Sequence, residues 1–289
     1  MTHTLKTTSL TILALIAFAA NSVLCRLALK DGVIDASGFT TVRLVSGITM
    51  FLLLMLVYGK PGKQQTQQTN SKKPWLSASM LFLYAITFSF AYISLDTGTG
   101  ALILFGVVQL TIIAISYFQG DKLSLAEWIG VLVSFSGLTY LVAPTVTTPD
   151  AFGFILMVLS GIAWGFYTVM GRGSISAFND TARNFVLTFP LVILLVLVTW
   201  SDINLSVKGM VLASLSGAVA SALGYTIWYQ ALRNLSNIEA AVVQLSVPVI
   251  AAVGGVLFVA EVVTLRLIIA SVLVLGGIFL VIINKSRSA

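Results

Sequence analysis

Polar side chains that could bind a small solute interrupt otherwise apolar stretches of this chain. Asn21, Gln109 and Gln244 each lie inside an apolar run, and each carboxamide offers hydrogen-bond donors as well as acceptors. These groups suit a zwitterionic or amide-bearing molecule. The alternative, which the sequence leaves open, is hydrogen bonding between helices, because amide side chains in apolar helices also serve that purpose.

Aromatic residues form a second group of candidates. Trp164 and Tyr167 are three residues apart and therefore share one face of a helix. A phenol or indole ring supplies a flat apolar wall, a cation–π partner for an ammonium group and one polar handle. The alternative is plain packing or an interfacial belt, which we favour for Trp228 and Tyr229.

Arg43 lies about two turns inside an apolar segment, where an isolated guanidinium is costly. It could hold a solute carboxylate through two parallel hydrogen bonds. It could equally snorkel to the outer surface, where Asp35 or the carbonyls at the end of the first helix would receive it. The full set of candidate solute-binding residues is Asn21, Gln109, Trp164, Tyr167, Tyr225 and Gln244, with Tyr84, Tyr92 and Arg43 as further members.

Carboxylates are expected only at or near the ends of the apolar segments. Export of cations coupled to protons commonly relies on a buried acid, so the sequence argues against that mechanism. Glu239, in the first turn of an apolar segment, is the remaining candidate for a gating or coupling group. The alternative is that the helix dipole favours an acid at this position.

Catalysis finds no support among the remaining polar residues. The only histidine is His3 and the only cysteine is Cys25, so no metal-ligand spacing or nucleophile and base pair can be drawn. We therefore expect no enzyme activity, no metal and no cofactor.

The composition determines which elements must position these side chains. The 289 residues are 58% hydrophobic and only 9% charged, against about 25% charged in soluble domains. A membrane-spanning helix needs about 20 apolar residues. The sequence predicts an all-α membrane protein with ten transmembrane helices, near residues 8–29, 37–58, 75–95, 99–118, 125–143, 151–171, 182–200, 208–231, 237–258 and 265–284.

The first segment has an alternative interpretation. Lys6 precedes an apolar run, and Ala17-Phe18-Ala19 resembles a signal-peptide cleavage site. Cleavage there would leave nine spans, so we favour a retained helix.

Basic residues set the expected orientation. With the N-terminus inside, only Arg26, Lys30, Arg43, Lys208 and Arg266 of the 16 Lys and Arg residues fall on the outer side. Both termini, together with a loop at residues 59–74, are then cytoplasmic. The net charge of +6 indicates attraction to anionic membrane lipid and not to nucleic acid.

The chain repeats itself after 140 residues. Asp121-Lys122-Leu123-Ser124-Leu125 aligns with Glu261-Val262-Val263-Thr264-Leu265, so in both copies an acid closes one span and a hydroxyl opens the next. This predicts two five-helix repeats, residues 1–146 and 147–289. Because five is odd, the repeats are inverted, as in carriers that work by alternating access.

Several short motifs, taken together, resemble those of the drug/metabolite transporter superfamily, and specifically of its EamA-type members. They are Phe18-Ala19-Ala20-Asn21, Trp164-Gly165, Arg43, Pro248 and the two acid-x-x-hydroxyl-Leu junctions. The resemblance covers essentially the whole chain. It implies a secondary carrier of small metabolites, commonly an exporter of amino acids or related compounds in the bacterial inner membrane.

One departure from that pattern has a structural consequence. The first repeat has Val108 where the second has Pro248, and a proline inside a helix removes a backbone hydrogen bond. We therefore expect the ninth helix to bend more than the fourth.

Two other functions remain open at this point. A proton-coupled drug or cation exporter of the same fold would need a titrating group. A non-transporting partner subunit or sensor would have a dry centre, whereas a carrier should have a solvated pocket between its halves. Whether the chain forms a homodimer is also open.

Overall fold

The computed structural model describes residues 2–58, 74–120, 122–143, 149–171, 176–232, 234–235 and 237–288. The expected loop at 59–74 and Asp121 therefore lie almost entirely outside the described residues. The first six spans are single helices, Thr2–Leu29, Ala36–Tyr58, Pro74–Ala91, Thr97–Phe118, Leu125–Val142 and Ala151–Gly171. The seventh span consists of Ala177–Leu187 and Phe189–Val198, and the eighth of Val207–Ser214, Leu215–Leu223 and Gly224–Leu232. The ninth consists of Asn237–Gln244 and Val247–Val259, and the tenth is the single helix Leu265–Ser288.

The all-helical membrane prediction is confirmed. Nine of the described segments are long and apolar enough to cross a membrane, and a tenth apolar helix, the fifth span, has an apolar stretch at Leu125–Leu141. The described residues contain no strand, only one isolated bridge between Ile34 and Leu205. The protein is therefore a multi-pass membrane protein.

Hydroxyl side chains open the last span of each repeat, as the aligned junctions predict. The Ser124 hydroxyl accepts from the backbone N–H of Glu127, whose carboxylate in turn accepts from the Ser124 N–H at 2.6 Å. The Thr264 hydroxyl accepts from the Leu267 N–H at 3.1 Å. Each bond satisfies one donor that the first helical turn leaves unpaired.

The ten spans pack in pairs that recur when each span number is shifted by five. The fourth span packs on the sixth and the ninth on the first, while the third packs on the sixth and the eighth on the first. The fifth span packs along the tenth, and the fourth on the ninth. The first span thus holds the same place toward the eighth and ninth that the sixth holds toward the third and fourth.

Three spans of the second repeat are interrupted. The ninth is broken at Leu245 and Ser246, just before Pro248, whereas the fourth is one continuous helix. The expected difference between these two helices is confirmed. The seventh span is interrupted at Thr188, ahead of Pro190.

The eighth span contains a π-helical segment at Leu215–Leu223. Such a segment inserts extra backbone into an α-helix and often occurs at functional sites. Gly217 lies within it, and a Cβ at this position would overlap the backbone carbonyl oxygen of Arg43. Glycine is therefore required for the close approach of the second and eighth spans.

Candidate functional site

A small cavity lies between spans from the first and the second half of the chain. Its volume is about 10 Å³, which leaves room for one water molecule at most. It is lined by Phe18, Asn21, Tyr84, Phe88, Leu104, Phe105, Trp164 and Tyr225, from the first, third, fourth, sixth and eighth spans. The solvated pocket that the sequence predicts is not found among these residues in this conformation, because aromatic side chains fill the space around the cavity.

Aromatic rings form one continuous wall of the cavity. The ring centroid of Trp164 lies 4.7 Å from that of Tyr84, 5.0 Å from that of Tyr225 and 5.2 Å from that of Tyr167. The Trp164 and Tyr167 rings are stacked, as their spacing on one helix face predicts. Phe18 meets Tyr225 edge-on at 5.9 Å, so the wall joins side chains from both repeats.

The buried carboxamide of Asn21 is bound by two hydroxyl groups on the π-helical segment. Its Oδ1 accepts from the Ser216 hydroxyl at 2.8 Å and from the Ser221 hydroxyl at 3.2 Å. The Oδ1 of Asn21 therefore makes hydrogen bonds between helices, as the alternative interpretation expects. Its carboxamide still borders the cavity.

Arg43 is buried behind the aromatic wall, with only 2% of its surface exposed. Its Nη2 donates to the Tyr84 hydroxyl at 3.0 Å and to the Ser221 hydroxyl at 3.3 Å. Asp35 instead accepts from the backbone N–H groups of Gly38 and Asn204. The alternative in which Arg43 snorkels to Asp35 at the surface was therefore wrong.

A charged cluster joins the two repeats where the first span ends. Arg26 pairs with Asp96 at 3.4 Å and with Glu261 at 3.2 Å, and its Nη1 donates to two backbone carbonyls after the third span. Glu261 also accepts from the Thr97 N–H at 2.9 Å. Lys30 donates to the Val259 carbonyl at 2.9 Å. These contacts hold the first, fourth and ninth spans together at this end.

The other predicted site residues lie away from the cavity. Gln109 is buried on the fourth span, but it does not line the cavity. Gln244 donates to the carbonyl of Ala240 in its own helix at 3.0 Å. Tyr92 donates to the Thr97 carbonyl at 3.3 Å and packs on Phe88. The side chain of Glu239 lies outside the described part of the chain.

The sequence did not single out several residues that shape this region. Ser216 and Ser221 make four of the five side-chain hydrogen bonds of Asn21 and Arg43. Nothing in hydrophobic periodicity distinguishes a π-helical segment from an α-helix, because both bury one face. The available signal was the concentration of hydroxyl and glycine residues in one span.

The comparisons with known proteins point to membrane transport. Residues 151–283 match the model of the EamA-like transporter family. An uncharacterized protein of Pseudomonas aeruginosa is 44% identical over 277 residues, which cover 96% of this chain and 94% of that protein. An uncharacterized transporter of Archaeoglobus fulgidus is 24% identical over 95% of this chain and 96% of its own length.

The fold is also found among solved structures. One crystal structure superposes with a TM-score of 0.67 at 15% sequence identity, covering 96% of this chain and 97% of that chain. This likeness establishes a shared helical architecture over nearly the whole length of both proteins.

Proposed function

Since this chain is an EamA-type member of the drug/metabolite transporter superfamily, we propose that it carries a small metabolite, such as an amino acid, out of the cell across the inner membrane by alternating access. The observation that supports this proposal is the central cavity, whose walls come from both repeats and combine aromatic rings with a carboxamide. In this conformation the cavity holds no more than one water, a centre as dry as that expected of a non-transporting subunit. The match to a transporter family favours the carrier over that alternative, and we assign this conformation to a closed step of the cycle.

The pairing of spans supports the alternating-access part of the proposal. The strong packing pairs join spans of different halves, and each maps onto another strong pair or onto itself when every span number is shifted by five. Two inverted five-helix repeats, at residues 1–146 and 147–289, would pack in this way. With both termini cytoplasmic, the Arg26 cluster lies at the outer end. Its ion pair with Glu261 joins the repeats and must break for the centre to open outward.

The aromatic wall supports the solute-binding part. A solute that separates the rings of Trp164, Tyr84 and Tyr225 would replace their tilted ring-to-ring contacts, worth about 0.5–1.5 kcal/mol for each aromatic pair. Ring contacts therefore favour a compact amphipathic molecule over a strongly hydrated ion.

Transport by purified protein in liposomes tests this function. We expect flux of some members of a panel of amino acids and related metabolites above that of protein-free liposomes. Trp164→Ala should reduce that flux at least about tenfold, because it removes the ring that contacts three other aromatic side chains. Gln109→Ala should have a smaller effect, since Gln109 does not line the cavity.

The matched control is Trp200→Ala, which removes an indole that is 75% exposed at the end of the seventh span. Its flux should equal that of the wild type. Equal flux for the Trp164 and Trp200 variants would contradict the assignment of the site, and no flux of any solute would contradict the function.

A further inference from the structure

The guanidinium of Arg43 is buried without a carboxylate partner among the described residues. The ion pairs in that part of the chain join Arg26 to Asp96 and Glu261, and Arg183 to Asp180. Arg43 lies seven residues after the start of the second span, about 10 Å along the helix at roughly 1.5 Å per residue. A charge at that depth is costly unless another group compensates it.

The protein compensates this charge only with neutral groups. The guanidinium carbon lies 4.9 Å from the ring centroid of Phe88 and 5.2 Å from that of Tyr84. Its hydrogen bonds go to the hydroxyl groups of Tyr84 and Ser221, at 3.0–3.4 Å. Such contacts are weaker than those with an ionised acceptor.

One nitrogen of Arg43 has no hydrogen-bond partner in the part of the chain that the structure describes. This nitrogen, Nη1, is buried, and no acceptor from the described residues lies within bonding distance of it. Guanidinium groups bind carboxylates through two parallel N–H donors, and this geometry needs a free nitrogen beside an occupied one. Nη1 can donate the first hydrogen bond to a carboxylate. Nη2 can donate the second if the carboxylate replaces the hydroxyl groups that now accept from it.

Arg43 is separated from the central cavity only by groups that can move. Tyr84 and Phe88, on which it rests, both line the cavity. Ser221 bridges Arg43 to Asn21, which also lines it. Rotation of the Tyr84 ring would therefore expose the guanidinium to a molecule bound against Trp164 and Tyr225.

We propose that Arg43 is the specificity-determining residue of the carrier and that it binds an anionic group, most simply a carboxylate, of the transported solute. This inference rests on the proposed function and specifies its substrate class. The solute carboxylate supplies the counter-charge that the described residues lack. Its remaining part, an ammonium or an apolar group, packs against the rings of Trp164 and Tyr225.

Paired solutes test the inference directly. Ligand protection of the purified wild-type protein against thermal unfolding is measured with amino acids and monocarboxylates, each beside its neutral amide. A hydrogen-bonded charge contact contributes enough to make carboxylates bind about 10- to 100-fold more tightly than their amides. Arg43→Gln should remove this preference while the amides still bind, whereas Arg43→Lys should retain part of it.

Arg266→Gln is the matched control. Arg266 is also buried and lies over a tyrosine ring, but it binds the carbonyls of Tyr140 and Ala143 far from the cavity. That variant should discriminate carboxylates from amides as the wild type does. It also reports the general effect of removing a buried arginine on protein stability.

Flux in liposomes separates the two proposals. If amides or amines cross as fast as carboxylates, or if Arg43→Gln keeps the wild-type preference, this inference is overturned while the carrier function stands. If no member of the panel binds or crosses, the inference and the proposed function both fail.

Discussion

Hydroxyl groups at single positions connect the two repeats at the centre of this protein. Ser221 donates to Asn21 and accepts from two nitrogens of Arg43, so one small side chain joins the first, second and eighth spans. Its loss would leave a guanidinium in an apolar interior with one hydroxyl acceptor, that of Tyr84. Ser221 therefore fixes the position of the Arg43 guanidinium relative to the Asn21 carboxamide.

Replacing Ser221 by alanine should destabilise the protein. We expect Ser221→Ala to lower the free energy of unfolding by about 1–3 kcal/mol, because buried donors lose their acceptor. Ser136→Ala is the control, since the Ser136 hydroxyl is exposed and bonds only to its own helix. Reversible unfolding in detergent measures both variants, and equal stability of the two would contradict this role for Ser221.

At the scale of elements, the ends of three spans meet in one ion-pair cluster. Arg26 ends the first span, Asp96 precedes the fourth, and Glu261 lies in the short link between the ninth and tenth. Ala260, beside Glu261, takes a left-handed backbone conformation with φ of 55°, which ends the ninth helix and turns the chain toward Arg26. A change at this one link therefore weakens the contacts at this end of the first span.

Glu261→Gln should favour outward opening, because it removes one charge of the Arg26 cluster. The chain has a single cysteine, Cys25, which is fully buried beside Arg26 and serves as a native reporter. We expect Cys25 in the Glu261→Gln variant to react several-fold faster than wild type with a membrane-impermeant maleimide added from outside. Cells carrying Cys25→Ala give the background.

Asp180→Asn provides the comparison for that experiment. It removes the acid of the Arg183 ion pair, which lies within the seventh span and does not involve the first. Labelling of Cys25 in this variant should match the wild type. An equal labelling rate in the Glu261 and Asp180 variants would show that the Arg26 cluster does not control access.

The elements themselves were largely predictable, because hydrophobic length and hydroxyl caps are local properties. Ten apolar runs, the Ser124 and Thr264 starts and the break before Pro248 follow from neighbouring residues. The π-helical segment did not follow, since it depends on how Gly217 meets the backbone of Arg43. Close approaches between spans far apart in sequence leave no periodic signal.

At the scale of the whole molecule, four of the candidate residues meet at one cavity. Asn21, Tyr84, Trp164 and Tyr225 come from four spans and line it. Gln109 and Gln244 do not line it, because a central position along a helix does not determine which face turns inward. The sequence indicates how far along its helix a residue lies. The face of the helix that turns inward depends on how the helices pack against one another.

The closed centre is consistent with a carrier that passes through an occluded state. Aromatic rings fill the space around the central cavity, and an ion-pair cluster lies at one end of the first span. Under the proposed function, both must rearrange before the centre can open to either side of the membrane.

Counterflow in liposomes tests alternating access most directly. Liposomes containing the protein are loaded with an unlabelled solute that binds, and a trace of the labelled solute is added outside. Alternating access predicts that the label accumulates transiently above its equilibrium level, and that Trp164→Ala reduces this accumulation. Monotonic equilibration without accumulation, or no movement of any solute that binds, would contradict the account.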